Sequence, residues 1–244
     1  MGSMASTILD LLHHLRSGNS GAPRLTWYGP GGERVELSGR VLDNWVSKTS
    51  NFLTEELDAE PGTRVRLGLP PHWKTAVVAL AAWQAGAVIV DDGDADVTFV
   101  GPPGAAGTSS SDAPSGGAAA HGGSLIAVAL GALETAYPGP LPGGALDYAA
   151  LVRQFADSFD PFDVPAPGDE ALRTQDGSFT QSSLLSGFAT PTPSGARVLI
   201  TAGDGLPAVL AGLLGAWAAD GSAVLLHPEV EATEHLRRIE QVTG

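Results

Sequence analysis

One segment of this chain occurs twice. Residues 62–70 (GTRVRLGLP) lead into an Ala-rich stretch, 76–83, and then into Gly86-Ala87-Val88-Ile89-Val90. Gly195-Ala196-Arg197-Val198-Leu199-Ile200 leads into 208–217 and then into 221–226 (GSAVLL). Each copy reads as strand, loop, apolar helix ending in tryptophan, glycine turn and strand. The copies align with one inserted residue before Trp217 and another before Gly221. A βαβ unit present twice predicts an α/β fold with two related lobes. Trp83 and Trp217 stand at matching helix ends, so both are expected in the core rather than against a ligand.

Composition narrows the function. The chain has 244 residues, enough to bury a sizeable core, and a formal charge of −14 from 27 acidic and 13 basic side chains. Only Lys48 and Lys74 are lysines. Such a surface repels a phosphate backbone and excludes nucleic acid as a general partner. There is no cysteine. Disulfides, thiolate catalysis and Cys-ligated zinc are therefore excluded, and the expected compartment is the reducing cytoplasm. The longest apolar run, 76–82, is too short to span a bilayer, and no signal peptide is read at the start. Met1-Gly2-Ser3-Met4-Ala5-Ser6 fits a myristoylation pattern, but reads more simply as an expression remnant ahead of a start at Met4. Abundant Gly, Ala and Pro with scarce Lys indicate a high-GC bacterial codon bias.

Along the chain, Ser6 is expected to cap a helix through Ile8, Leu9, Leu12 and Leu15. Residues 24–28 and 34–37 flank Gly29-Pro30-Gly31-Gly32 as a hairpin, and Ser38 caps a long amphipathic helix. A strand is expected at 96–100. Residues 101–123 are rich in Gly, Ala, Ser and Pro and read as a flexible loop. A buried strand at 125–130, a helix at 146–155 and an extended stretch at 161–167 follow. Asp176-Gly177 turns into Phe179, 180–188 reads as a short helix, and 231–242 as an amphipathic helix. The expected organisation is a first lobe at 1–100, the loop at 101–123 and a second lobe at 124–244, in one unit.

With these motifs placed, the chain resembles the N-terminal part of the adenylate-forming superfamily, which includes acyl-CoA synthetases, luciferases and adenylation domains. Thr26-Trp27-Tyr28, the helix from Ser38, Pro61-Gly62-Thr63-Arg64-Val65, Leu69-Pro70-Pro71-His72-Trp73 and Trp83-Gln84-Ala85-Gly86-Ala87-Val88 fill that family's opening motifs. His72 replaces a common Asn and Asp91 a common Pro. Thr180-Gln181-Ser182-Ser183-Leu184, Arg197-Val198-Leu199-Ile200, 206–217, 223–226 and 234–243 resemble the family's next stretch. The resemblance implies two related α/β lobes about a pseudo-twofold axis.

It also implies a chemistry. Carboxylate activation by ATP needs backbone N–H groups and a lysine around the phosphates, with a metal to neutralise charge. In the family a loop of the form YTSGTTG-PKG supplies them. Here the corresponding residues 168–180 read GDEALRTQDGSFT: two glycines, no lysine, and Asp169, Glu170 and Asp176. Like charge at close range opposes a triphosphate there. Thr201-Ala202-Gly203-Asp204 stands where the family carries an aromatic-His pair. The sequence ends before the family's adenine- and ribose-binding motifs and its catalytic lysine. No catalytic residue, cofactor-binding residue or cofactor is therefore assigned.

Weaker constellations carry less. Residues 101–107 lack the spacing and lysine of a P-loop. Asp91, Asp92, Asp94 and Asp96 around Gly93 lack EF-hand spacing and read as a solvated turn. His13 and His14 are adjacent, and His72, His121, His227 and His235 are dispersed, so no metal site is assigned. The leading expectation is a non-catalytic, truncated relative of the family that binds a small molecule or a protein. Alternatives are an adenylate-forming or acyl-thioester enzyme with a remodelled site, or a structural module that forms a homo-oligomer. Neither nucleic acid nor membrane is an expected partner.

Overall fold

A computed structural model describes residues 5–91, 93–104 and 123–243. Its helices are α1 (Ile8–Ser17), α2 (Gly39–Asn51), α3 (Trp73–Gln84), α4 (Tyr148–Leu151), α5 (Leu206–Ala218) and α6 (Glu234–Ile239). The first strands are β1 (Pro23–Tyr28), β2 (Arg34–Ser38), β3 (Arg64–Gly68), β4 (Val88–Val90), β5 (Val97–Val100) and β6 (Ser124–Ala127). They are followed by β7 (Leu146–Asp147), β8 (Glu170–Thr174), β9 (Gly177–Thr180), β10 (Arg197–Thr201) and β11 (Ser222–Leu226).

The chain divides into two units, 1–43 with 71–76 and 182–244, and 44–70 with 77–181. The first holds a four-stranded sheet in the order β10-β11-β1-β2, and the second a seven-stranded sheet in the order β7-β6-β5-β3-β4-β8-β9. All neighbours are parallel except the terminal hairpins β1–β2 and β8–β9. The expected lobe boundary at 101–123 is therefore not where the sheets divide. β4 and β11 would each be a bare edge after their βαβ unit, and each is covered by a hairpin from the other half of the sequence. Most of the 101–123 loop, residues 105–122, lies outside the described residues, as do Asp92 and His121.

The repeat extends further than the sequence indicates. β3-β4-β8-β9 and β10-β11-β1-β2 have the same order and the same strand directions. Hydrogen bonds fix the alignment of the copies. Ala87 and Gly221 donate to Ala82 and Ala216, both at 2.8 Å, and Val88 and Ser222 donate to Thr63 and Ala196. Gly86 therefore matches Asp220, not Gly221, and no residue is inserted between Trp217 and the turn. Both turn residues are left-handed, with φ of 80° at Gly86 and 56° at Asp220. Asp220 is held there by an ion pair to Arg24 at 2.7 Å and a contact of its carboxylate with His14 Nε2 at 3.3 Å. Gly221 answers a different need: a Cβ there would lie 2.2 Å from the Ala196 carbonyl oxygen.

α3 and α5 are apolar along most of their surface and bury almost all of it. Trp83 and Trp217 are fully buried, as expected of core residues. On the other face of the smaller sheet, Leu236 of α6 packs on Val224 and Leu226.

Several local expectations change. Thr7, not Ser6, caps α1, forming a reciprocal capping box with Asp10. Ser38 does accept the Val41 N–H at the start of α2, at 3.3 Å. Residues 146–155 are not one helix. Leu146 and Asp147 form β7, and the Asp147 carboxylate caps a single turn by accepting from Ala149 and Ala150. Thr180 closes β9, leaving only a wide turn at Leu184–Phe188. The helix expected at 231–242 is confined to α6, capped by Thr233. Among the described residues no helix is long and apolar enough to cross a membrane.

Candidate functional site

Two places bear on the chemistry, one in each unit. The first is the segment expected to hold, or to have lost, a phosphate loop. Residues 168–180 form the β8–β9 hairpin, joined through Gln175 and Asp176. β8 is paired on both sides, with Leu172 against Ile89 and Arg173 against Val90 on one, and Leu172 against Phe179 on the other. Central-strand N–H groups spent on ladder bonds are not available to a phosphate.

The turn is also occupied. Gln175 donates its N–H to the Asp91 carboxylate at 3.0 Å, and Asp91 donates its own N–H to the Arg173 carbonyl at 3.3 Å. The Thr174 hydroxyl donates across the turn to the Gly177 carbonyl at 3.1 Å. The cation in this hairpin, Arg173, is paired with Glu170 through its Nε at 3.0 Å and through Nη2. Before β8, Asp169 accepts the Ala166 N–H at 2.7 Å and passes its carbonyl to the Gln181 N–H at 2.9 Å. From sequence, Asp91 reads as part of a solvated acidic turn and as standing where the resembled family commonly has Pro. Asp96, from the same acidic run, pairs with Arg64 at 2.8 Å.

The second place lies around the C-terminal ends of the parallel strands β1 and β11. The His72 ring meets the edge of Trp27 at 4.7 Å between centroids, and His227 approaches the same indole at 6.0 Å. His72 Nδ1 accepts the Lys74 backbone N–H at 3.1 Å, and His227 Nδ1 accepts that of Glu229 at 3.2 Å. Trp27 donates its indole N–H to Glu33 at 2.9 Å. Burial, reinforced by the positive charge of Lys74 and by His227, pushes His72 down to about 3, so it is a neutral core ring. Among the described residues no group of three or more His, Cys, Asp or Glu side chains could hold a metal ion. His13, His14 and His235 lie apart from this pair, and none was assigned a site.

At the end of β10, Thr201 donates its hydroxyl to Asp204 at 2.6 Å, closing the turn expected to stand where the resembled family has an aromatic-His pair.

Comparison with solved structures gives the architecture its place. A Brucella canis acyl-CoA synthetase matches 98% of this chain with a TM-score of 0.73 at 14% identity. The N-terminal domain of FACL13 from Mycobacterium tuberculosis matches 98% with a TM-score of 0.69 at 17% identity. This chain has the fold of an acyl-CoA synthetase N-terminal domain. A fatty acyl CoA synthetase of Mycobacterium tuberculosis matches 96% of it, with a TM-score of 0.66 and 16% identity. The matches cover 47% of the Brucella enzyme, 62% of the FACL13 chain and 47% of the fatty acyl CoA synthetase. In sequence, a TIGR03089 family protein of Mycobacterium tuberculosis is 39% identical over 167 residues, 68% of this chain and 65% of that protein. No family model matches the sequence.

Proposed function

We propose that this chain is a non-adenylating relative of the acyl-CoA synthetases that acts by binding a small molecule or a protein rather than by activating a carboxylate. The observation that carries this reading is the β8–β9 hairpin. At the position the family resemblance gives to the phosphate loop, the backbone is committed to sheet pairing and the Gln175 N–H is held by the Asp91 carboxylate. Three further acids, Asp169, Glu170 and Asp176, lie in the same stretch, and no lysine does. A triphosphate there would meet carboxylates where it needs N–H donors and a cation. Fold alone does not confer activity, so the loss of this cradle outweighs the retained scaffold.

The test is ATP–pyrophosphate exchange with the purified chain, Mg²⁺ and a library of carboxylic acids. The expected rate is that of the protein-free blank. The melting temperature should also stay unchanged with millimolar ATP, AMP or CoA, because any ligand bound to the native state raises it. Exchange above blank with any acid overturns the reading in favour of an enzyme with a remodelled site.

A further inference from the structure

We propose that residues 157–164 form a docking arm for a second protein, whose groove takes the Phe162 ring and rims it with lysine or arginine side chains. The arm lies wholly within the larger unit and is independent of the nucleotide question above.

Phe162 is 100% exposed and Val164 66% exposed, in a segment that belongs to no helix or strand. A fully solvated phenyl ring gains nothing for the fold, because it removes no apolar area from water. The arm is nevertheless tied down on both sides. Before it, Lys48 donates to the Phe155 carbonyl at 2.6 Å, and the Asn51 amide donates to the carbonyls of Ala156 and Ser158 at 3.0 and 2.9 Å. The Phe155 ring packs edge-on against Phe52 at 5.7 Å. After it, Pro165 is buried and the Ala166–Asp169 turn closes the chain. Pro161 and Pro165 fix φ on either side of Phe162 and Val164. Anchored ends and fixed dihedrals lower the ordering cost of binding.

Charge decides the partner. Asp157, Asp160 and Asp163 lie within five residues of Phe162 in sequence and are all exposed. Complementarity calls for a basic rim around the apolar pocket that receives an aromatic anchor. A second copy of this chain fits poorly, because it brings a net charge of −14, with 27 acidic side chains against 13 basic ones. An anionic lipid surface would be repelled by the same three carboxylates.

The test places the photocrosslinker benzoylphenylalanine at position 162 of the full chain, in the cells that naturally make it. Leu133, 93% exposed in the same unit, serves as the control position. The expected result is a protein adduct from position 162 and none from 133, with the attachment mapped to a segment carrying Lys or Arg. With that partner purified, Phe162→Ala should weaken binding at least about tenfold, as expected for a hot-spot aromatic. Asp160→Asn with Asp163→Asn should slow association and flatten its salt dependence. Because the ring touches nothing in the fold, Phe162→Ala should melt with the parent. No adduct, equal labelling at 133, an adduct of two copies, or attachment to lipid overturns the proposal.

Discussion

Trp83 donates its indole N–H to the backbone carbonyl of Ala171 at 2.8 Å, and in the other unit Trp217 does the same to Arg24 at 2.9 Å. Both acceptors sit where a hairpin strand slips register, between Glu170 and Leu172 in β8 and between Pro23 and Leu25 in β1. The tryptophan at each helix end thus satisfies a carbonyl at a bulge and fixes the hairpin beside its βαβ unit. Trp83→Phe keeps a large ring but strands that carbonyl. It should cost about 1–3 kcal/mol in urea unfolding, the penalty of a buried unpaired group. Trp217→Phe should cost a similar amount, and either change to Ala about 3–5 kcal/mol.

The recurrence of these tryptophans was legible from sequence, and so were the two βαβ units and the α/β class. The continuous apolar runs of α3 and α5, each ending near a tryptophan, and the β-branched strands made them so. The four-strand order was not legible, because its hairpins, at 23–38 and 170–180, lie far in sequence from the βαβ units they flank. The glycine at 221 misled the alignment: it answers the close approach of Ala196, while the left-handed turn falls to Asp220. At the candidate site, the missing lysine was visible in residues 168–180, but the Asp91 bond that closes the turn joins residues 84 apart.

His72 sets a pH dependence. Its folded pKa, about 3, lies below the ordinary histidine value of 6.5. The unfolded chain therefore binds the proton first, and stability falls as pH drops below 6.5. Between pH 7 and 5 the loss due to this group should be about 2 kcal/mol. His72→Gln, which can still accept the Lys74 N–H, should flatten the unfolding free energy over that range. An unchanged slope would show that another group carries it.

Glu240 acts in a more acidic window. It lies just after α6, nearly buried, and accepts from Tyr28, from Arg197 and from Arg34 at 2.9 Å. Burial opposes its charge, but the hydrogen bonds from Tyr28, Arg197 and Arg34 outweigh it and hold the carboxyl below the ordinary value of 4.5. This stability is present above about pH 4.5 and is lost as pH falls through the lower folded value. Glu240→Gln should cost about 2 kcal/mol at pH 7, the worth of charged hydrogen bonds. It should also weaken the acid dependence below pH 4.5, read from denaturation midpoints at several pH values.

The Asp91–Gln175 bond can be isolated by amide hydrogen exchange. Asp91→Ala should remove the acceptor and speed exchange at the Gln175 amide at least about tenfold, while ladder amides of β8 change less. The global cost should be about 1 kcal/mol, as the turn is exposed and water can replace the carboxylate. A variant that exchanges no faster at Gln175 would place that amide's protection elsewhere.

The two copies also make opposite demands at one aligned position. Ala87 fits its site, whereas a Cβ at Gly221 would lie 2.2 Å from the Ala196 carbonyl oxygen and 3.0 Å from that of Ala216. Both are backbone atoms, in the lead into β10 and in α5, so no side-chain rotation relieves the clash. Gly221→Ala should therefore force β10 and β11 apart at their start and cost about 1–3 kcal/mol, as overpacking does. Ala87→Gly should cost less, about 0.5–1 kcal/mol, mainly through unfolded-chain entropy. Equal effects in thermal unfolding would mean that the close approach at Ala196 relaxes without cost.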